Sequence, residues 1–460
     1  MRLLTEIVQD DEKSAFATAG LVLLSAVGFL LLLWSQQTQL LGAAYLATSV
    51  LIAAWLYATS SPLYLGFVLW LWFLTPFIRR VIDYALGTYT PPARSLVMLT
   101  PFAASVLTLL DIPRFGGQMV RRRYLPFLLC LLGILYGYVL GIFNVGAFGA
   151  TRQLLSWLPP LLTGFYVMNR WQLAEAHTRV IKRTLTWGVL FLGVYGIAQF
   201  QLAPPWDAFW MQNTAMESIG QPYPGEVRIF STLDSPGPFA VTVTTGLIVL
   251  FAGRGFLPIL AAIPGYVTFL IVGVRGAWIG WMVALGTIVT QVRGQLRNRL
   301  FGVLVAVTLV TVPVVLTGDM GERTTNRIQT LENLEQDGSF KARVRLYSAA
   351  PARILMNPFG WGLGSRTMDS GILTLFWQLG WPGSLLYLTG LALLLWDVFQ
   401  GQSFFAKVVM GVAASYAIQF FAGAQLLSQI TGVLFWSLSS LAVAYHVYNT
   451  SRRRPEVSVA

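Results

Sequence analysis

Residues 124–142 read YLPFLLCLLGILYGYVLGI and follow directly on Arg121-Arg122-Arg123. The run holds no charged side chain. A hydrocarbon core about 30 Å thick takes roughly 20 apolar residues of helix, so this stretch is long enough to cross it. Arginines at its start mark the cytoplasmic side, where Lys and Arg of short loops accumulate. The same pattern recurs along the chain. Apolar runs lie at 15–34, 39–57, 62–78, 95–110, 124–142, 153–168, 184–201, 235–252, 256–273, 276–291, 300–317, 370–396, 404–423 and 429–448.

Several runs carry further signals. Gly133, Gly137 and Gly141 are spaced four apart, a stripe of small residues for close helix packing. The run at 370–396 contains Gly380-Trp381-Pro382-Gly383, which predicts a kink or break. The runs at 256–273 and 276–291 are joined so tightly that a re-entrant hairpin is an alternative to two spans. The first run is longer than a signal-peptide core and reads as a retained helix.

Composition agrees. Of 460 residues 55% are hydrophobic and only 11% charged, and mean hydropathy is +0.64. A soluble domain carries about 25% charged residues. A soluble globular enzyme, a disordered chain, a coiled coil and a disulfide scaffold are excluded as starting points. The single cysteine, Cys130, allows neither an intramolecular disulfide nor a cysteine metal cluster. The two histidines, His177 and His446, are far apart in sequence. The expected fold is all-α: a polytopic transmembrane helical bundle of about 12–14 spans, forming a single integral membrane domain over 1–460.

The net charge of +12 would point to nucleic acid in a soluble protein. Here the basic residues concentrate in loops at 121–123, 170–183, 293–299 and 452–454. All four fall on one side of an alternating topology, which makes that side and both termini cytoplasmic. No nucleic-acid partner is expected; the lipid bilayer is. The other side receives two longer segments, about 202–234 and 318–369. The second, between spans 11 and 12, carries Arg323, Arg327, Lys341, Arg343, Arg345, Arg353 and Arg366. Long loops translocate regardless of charge, but this excess also suits an anionic ligand at the outer surface. Within the loop, 339–356 reads as an amphipathic helix that either rests on the membrane or packs over the mouth of the bundle.

Chemistry-bearing residues cluster on that outer side. Arg228 precedes RIFSTLDSPGPFA's Asp234 and Pro236, where Asp234 or Ser235 would cap the next helix. Arg275 in GVRGAWIG is embedded between two apolar runs, a position that is costly for a cation and functional by default. Arg343, Arg345 and Tyr347 are followed by the glycine turn PFGWGLG, with Gly362 and Gly364, then by Asp369. A glycine-rich turn offers backbone N–H groups to a phosphate, and a carboxylate at the membrane edge suits a general base.

Taken in order, these pieces resemble the O-antigen ligase and polymerase superfamily of bacterial inner-membrane glycosyltransferases. The likeness rests on RIFSTLDSPGPFA, GVRGAWIG, Arg343 to Tyr347, PFGWGLG and DSGILTLFWQLGWPG, over about 228–395. It implies a glycan donor carried on undecaprenyl diphosphate, a glycan acceptor, and transfer at the periplasmic face. It further implies metal-independent catalysis without a cofactor; no Asp-x-Asp occurs in the chain. Arg228 and Arg275 would hold the diphosphate, Arg343 or Arg345 would add to the clamp, and Asp369 would take the acceptor proton. Ligases of the family usually have His where this chain has Asp369 and Asn where it has Ser370. That departure tilts the expectation toward a polymerase, one that a chain-length regulator can accompany. An O-antigen ligase and a transporter or flippase of lipid-linked sugars remain the alternatives.

Overall fold

A computed structural model describes residues 40–115, 121–316, 338–423 and 429–453. The expected first span at 15–34 and the start of the outer loop lie outside the described residues. The fold is built of α1 (Leu41–Ala58), α2 (Leu63–Leu86), α3 (Leu125–Asn144), α4 (Ala147–Asn169), α5 (Ala174–Leu202) and the short α6 (Pro205–Asn213). It continues with α7 (Pro236–Leu250), α8 (Leu257–Ile271), α9 (Arg275–Gln291) and α10 (Gln295–Leu316). Then come α11 (Gly338–Met356), α12 (Gly371–Phe399), α13 (Phe404–Ala422) and α14 (Gln429–Arg453). Among the described residues the sole β pairing is an isolated bridge between Gly220 and Val227.

Among the described residues seven helices are long and apolar enough to cross a membrane: Leu41–Ala58, Leu63–Leu86, Leu125–Asn144, Trp171–Leu202, Gly371–Phe399, Phe404–Phe421 and Gln429–Arg452. The chain is thus an all-helical membrane protein. The apolar helices α7 and α8 are shorter, at 15 residues each. The run expected at 95–110 folds as a succession of short 3-10 and α turns from Val97 to Phe115. Ser105 and Thr108 there donate to the carbonyls of Pro101 and Ser105.

The helices begin and end for local reasons. Ser370 caps α12 by accepting from the Leu373 N–H, and Ser403 caps α13 by accepting from Ala406. Pro126, Pro205, Pro236 and Pro258 occupy first turns, where a missing N–H is harmless. Ser235 takes the cap position of α7 without a side-chain cap bond, so Asp234 is left to other work.

The glycine stripe of α3 packs against α12. A Cβ on Gly133 would come 2.5 Å from the Gly383 carbonyl oxygen, and one on Gly137 would come 2.2 Å from Leu379. The α12 kink appears where expected: Gly380 has φ 60° and ψ −171° inside the helix. The kink makes room for the chain entering α12, since a Cβ on Gly380 would lie 2.2 Å from the Phe359 carbonyl oxygen. Gly380→Ala is therefore expected to destabilise by about 1–3 kcal/mol through strain alone, and by more through the clash. Unfolding in detergent would measure it; a wild-type midpoint would refute the close approach.

The pair α8 and α9 is not a hairpin packed on itself. Helix α8 packs mainly on α5, and α9 mainly on α13. The two helices of the second pair run antiparallel, with Gly280 against Ser415 and Gly411 against Ile288.

These packings give the bundle two distinct ends. At one lie the start of α12, the ends of α3 and α13 and the start of α9. At the other, Arg122 before α3 lies 4.0 Å from Asp397 late in α12, and Lys407 in α13 donates to the Gln291 carbonyl at the end of α9. The basic segments from 121, 170, 293 and 452 fall at this second end.

Candidate functional site

A cavity of about 400 Å³ opens at the Asp369 end. One wall is α11, which presents Arg345, Ala349 and Arg353 at four-residue intervals, hence on one helical face. The other wall is the segment Arg366-Thr367-Met368-Asp369, and Trp377 of α12 closes the floor. Helix α11 packs over the end of the bundle, as one of the two sequence readings had it. Ala350 and Ile354 are buried with Met368, Leu373 and Trp377.

The wall residues are held by their neighbours. The Tyr347 hydroxyl bonds Ser370 Oγ at 2.8 Å and donates to the Phe421 carbonyl, tying α11 to the start of α12 and the end of α13. Thr374 Oγ1 accepts from the Met368 N–H at 2.9 Å. Gln378 Nε2 reaches the carbonyls of Ser365 and Arg366 at 3.5 Å. Two polar side chains of α12 therefore set the path that carries Arg366 and Asp369. Tyr347→Phe removes the hydroxyl and is expected to loosen α11 by about 1–2 kcal/mol. Faster amide exchange confined to α11 would register this; exchange rates equal to wild type would contradict it.

The cavity gathers three guanidiniums and one carboxylate: Arg345, Arg353, Arg366 and Asp369. All four side chains are exposed to solvent. Among the described residues, none of the three arginines is within ion-pair distance of a carboxylate. Such a site favours an anion with several oxygen acceptors.

The remaining expected site residues have other places. Arg343 belongs to α11, with its backbone alone described. Gly362 and Gly364 have φ of +86° and +87°, and a Cβ on either would strike α3 or α4, at Gly141 and Gly149. Their turn is a packing device. The N–H groups of Gly360, Trp361, Gly362, Leu363 and Ser365 donate to protein carbonyls, so these five do not cradle a phosphate. Tyr347 likewise spends its hydroxyl on Ser370 and Phe421 rather than on the cavity.

Arg228 and Arg275 do not line the cavity. Arg228 is half-buried and donates to the carbonyls of Val272 at 3.1 Å and Ser218 at 3.3 Å. That fixes it against the turn leading to Arg275, the first residue of α9. Continuing the α9–α13 register puts the Arg275 backbone level with Phe420, whose ring presses on Gly371. Arg275 and Asp369 thus flank the same end of α13.

Asp234 belongs to a buried cluster that sequence reasoning missed. It accepts from Arg79 Nη2 at 3.0 Å. Arg80 donates to Asp207 Oδ1 at 2.7 Å and to the carbonyls of Leu233 and Ser231 at 2.6 Å each. Tyr195 and Gln199 both donate to Asp207 Oδ2 at 2.7 Å. Gln199 Oε1 also accepts from the N–H groups of Phe230 and Ser231. Ser231 has φ 53°, a left-handed conformation uncommon outside glycine. The cluster thus clamps a strained turn three residues from Arg228. The available signal was Arg79-Arg80 ending an apolar run. For Arg353 and Arg366 it was their membership of the basic outer loop.

Comparison of the chain with protein-family models and with curated proteins gave no match.

Proposed function

We propose that the chain is a membrane glycosyltransferase that uses a glycan carried on a lipid diphosphate, undecaprenyl diphosphate by resemblance, and joins it to another glycan. The observation that carries the proposal is the cavity at one end of the bundle, with Arg345, Arg353, Arg366 and Asp369 in its lining. The motif order from Arg228 to Gly383 supports it. So does the position of the basic loops at the opposite end, since the positive-inside rule reads loops of that kind as cytoplasmic and an outer, periplasmic cavity is in keeping with it.

The chemistry follows from the charges. When an acceptor hydroxyl attacks the anomeric carbon, the bond from that carbon to the phosphate oxygen breaks. Negative charge then builds on the departing lipid diphosphate. Arg345, Arg353 and Arg366 stabilise that charge with hydrogen bonds stronger in the transition state than before it. Asp369 takes the proton from the acceptor hydroxyl. Arg228 and Arg275 extend the positive field along the side facing α13.

The cavity is confined to residues 345–377 at one end, which favours a surface-acting transferase over a transporter with a crossing path. Polymerase is preferred to ligase because Asp369-Ser370 stands where ligases have His-Asn. A polysaccharide gel from cells lacking the protein, with wild type or Arg353→Ala restored, tests the reading. Single repeat units in the null strain and in Arg353→Ala, with long chains restored by wild type, are expected. Long chains that persist but lose their anchor would make the protein a ligase. An unchanged pattern in the null strain would contradict both for that polysaccharide.

A further inference from the structure

The opposite end of the bundle holds a second cavity, of about 450 Å³, where α9, α12 and α13 meet. Among the described residues its ionisable lining is Arg293 and Lys407, joined by Gln291 and Gln402 as polar partners. Lys407 Nζ gives one of its donors to the Gln291 carbonyl at 3.0 Å, which aims the ammonium at the junction. The carboxylate closest in sequence on α12, Asp397, is engaged with Arg122 at 4.0 Å.

The level of this cavity in the membrane follows from the spans. It lies at the turn between Gly371–Phe399 and Phe404–Phe421, where two candidate spans end. That is the depth of lipid headgroups. Its lip is apolar: Phe399 lines it and is 56% exposed, and Trp396, one turn back along α12, is 58% exposed. A second hollow of about 200 Å³ shares Gln402 and adds the uncharged side chains of Ser403, Asn449 and Thr450 beside His446. Two cations at headgroup depth, hydroxyl and amide partners beside them and exposed aromatics toward the bilayer core match one amphiphile.

We propose that this cavity seats the headgroup of an anionic phospholipid from the leaflet at that end. The phosphate lies between Arg293 and Lys407, the headgroup hydroxyls reach Gln402 and its neighbours, and the acyl chains run over Phe399 and Trp396. The proposal is independent of the reaction at the other end.

Native mass spectrometry of the purified full chain, with phosphatidylglycerol or phosphatidylcholine added, tests it. Wild type is expected to retain phosphatidylglycerol in preference to phosphatidylcholine. At about 1 kcal/mol per basic residue near a charged membrane surface, Arg293→Gln should weaken retention about fivefold, and Arg293→Gln with Lys407→Met about thirtyfold. Arg293 is exposed, so its single variant stays folded even if Lys407→Met disturbs the α9–α13 junction. Equal retention by wild type and Arg293→Gln would overturn the proposal. Displacement of phosphatidylglycerol by millimolar inorganic phosphate would overturn it in favour of a free anion.

Discussion

Arg80→Ala is expected to cost about 3–5 kcal/mol of stability, because it leaves the Asp207 carboxylate buried without its counter-ion. Both side chains are fully buried. Arg80 is held at three of its donors, by Asp207 and by the carbonyls of Ser231 and Leu233, each at 2.7 Å or less. Its guanidinium also faces the ring of Phe230 at 4.9 Å, a contact that favours a flat cation. Alanine removes all of this, takes the Arg80 donor from the Leu233 carbonyl and leaves the Ser231 carbonyl with Gln199 Nε2 at 3.3 Å. Lysine keeps the charge but has no fork to span three acceptors, so Arg80→Lys should fall between wild type and alanine. Arg80→Met combined with Asp207→Leu should recover part of the loss, since the uncompensated charge is then gone. Unfolding midpoints of the four proteins in one detergent measure the series. An Arg80→Ala protein within about 1 kcal/mol of wild type would show that water reaches Asp207 and that the pair is not buried in solution.

The second large effect is at the cavity. Arg353→Ala and Arg366→Ala are each expected to lower the transfer rate by about a hundredfold, the scale for removing one donor from a site that stabilises developing negative charge. Their unfolding midpoints should stay near wild type, because both side chains are exposed and packed against little. Lysine at either place should restore part of the rate, as a point charge without the bidentate geometry. Asp369→Asn should lower the rate while leaving donor binding intact, since the proposed role of the carboxylate is on the acceptor. The expected contrast with Arg80 is that its loss lowers stability, whereas loss of Arg353 or Arg366 lowers the rate. Wild-type rates in both Arg353→Ala and Arg366→Ala would remove the cavity from the chemistry.

What the sequence makes legible here follows from the range of the interactions involved. Spans are legible because the apolar runs are local: 124–142 becomes Leu125–Asn144, and 429–448 lies within Gln429–Arg453. The helix expected near 339–356 is Gly338–Met356. The break at Gly380 is legible because Gly and Pro act on their own backbone. The run at 95–110 overlaps the shorter apolar helix Val97–Pro113, whose turns alternate between 3-10 and α, a detail that composition does not show. The buried cluster is hidden for a different reason. Arg80 and Asp207 are 127 residues apart, and Arg79 and Asp234 are 155 apart. Nothing local to either partner names the other. Asp234 therefore looks like a cap or a substrate contact when it is half of an ion pair.

The glycine turn teaches the same lesson about the candidate site. Gly362 and Gly364 stand out in sequence as a phosphate cradle, yet the N–H groups of Gly362 and Leu363 go to the carbonyls of Gln378 and Gly137. Positive φ and the close approach of Gly362 to α3 and of Gly364 to α4 already explain why glycine is needed there. Conversely, Arg353 and Arg366 carry no motif. They are brought to Arg345 and Asp369 by the turn of α11 and by Thr374 and Gln378 of α12, which sequence spacing does not reveal.

The central claim is that the Arg345, Arg353, Arg366 and Asp369 cavity transfers a glycan from a lipid diphosphate. The most direct measurement is the purified chain in lipid vesicles, given a lipid-diphosphate-linked oligosaccharide alone, with product size and released lipid diphosphate followed together. The account predicts longer glycans, one lipid diphosphate released per bond formed, and loss of both in the Arg353→Ala and Arg366→Ala double variant. Donor carried across the vesicle membrane with no diphosphate released would contradict it and make the chain a transporter.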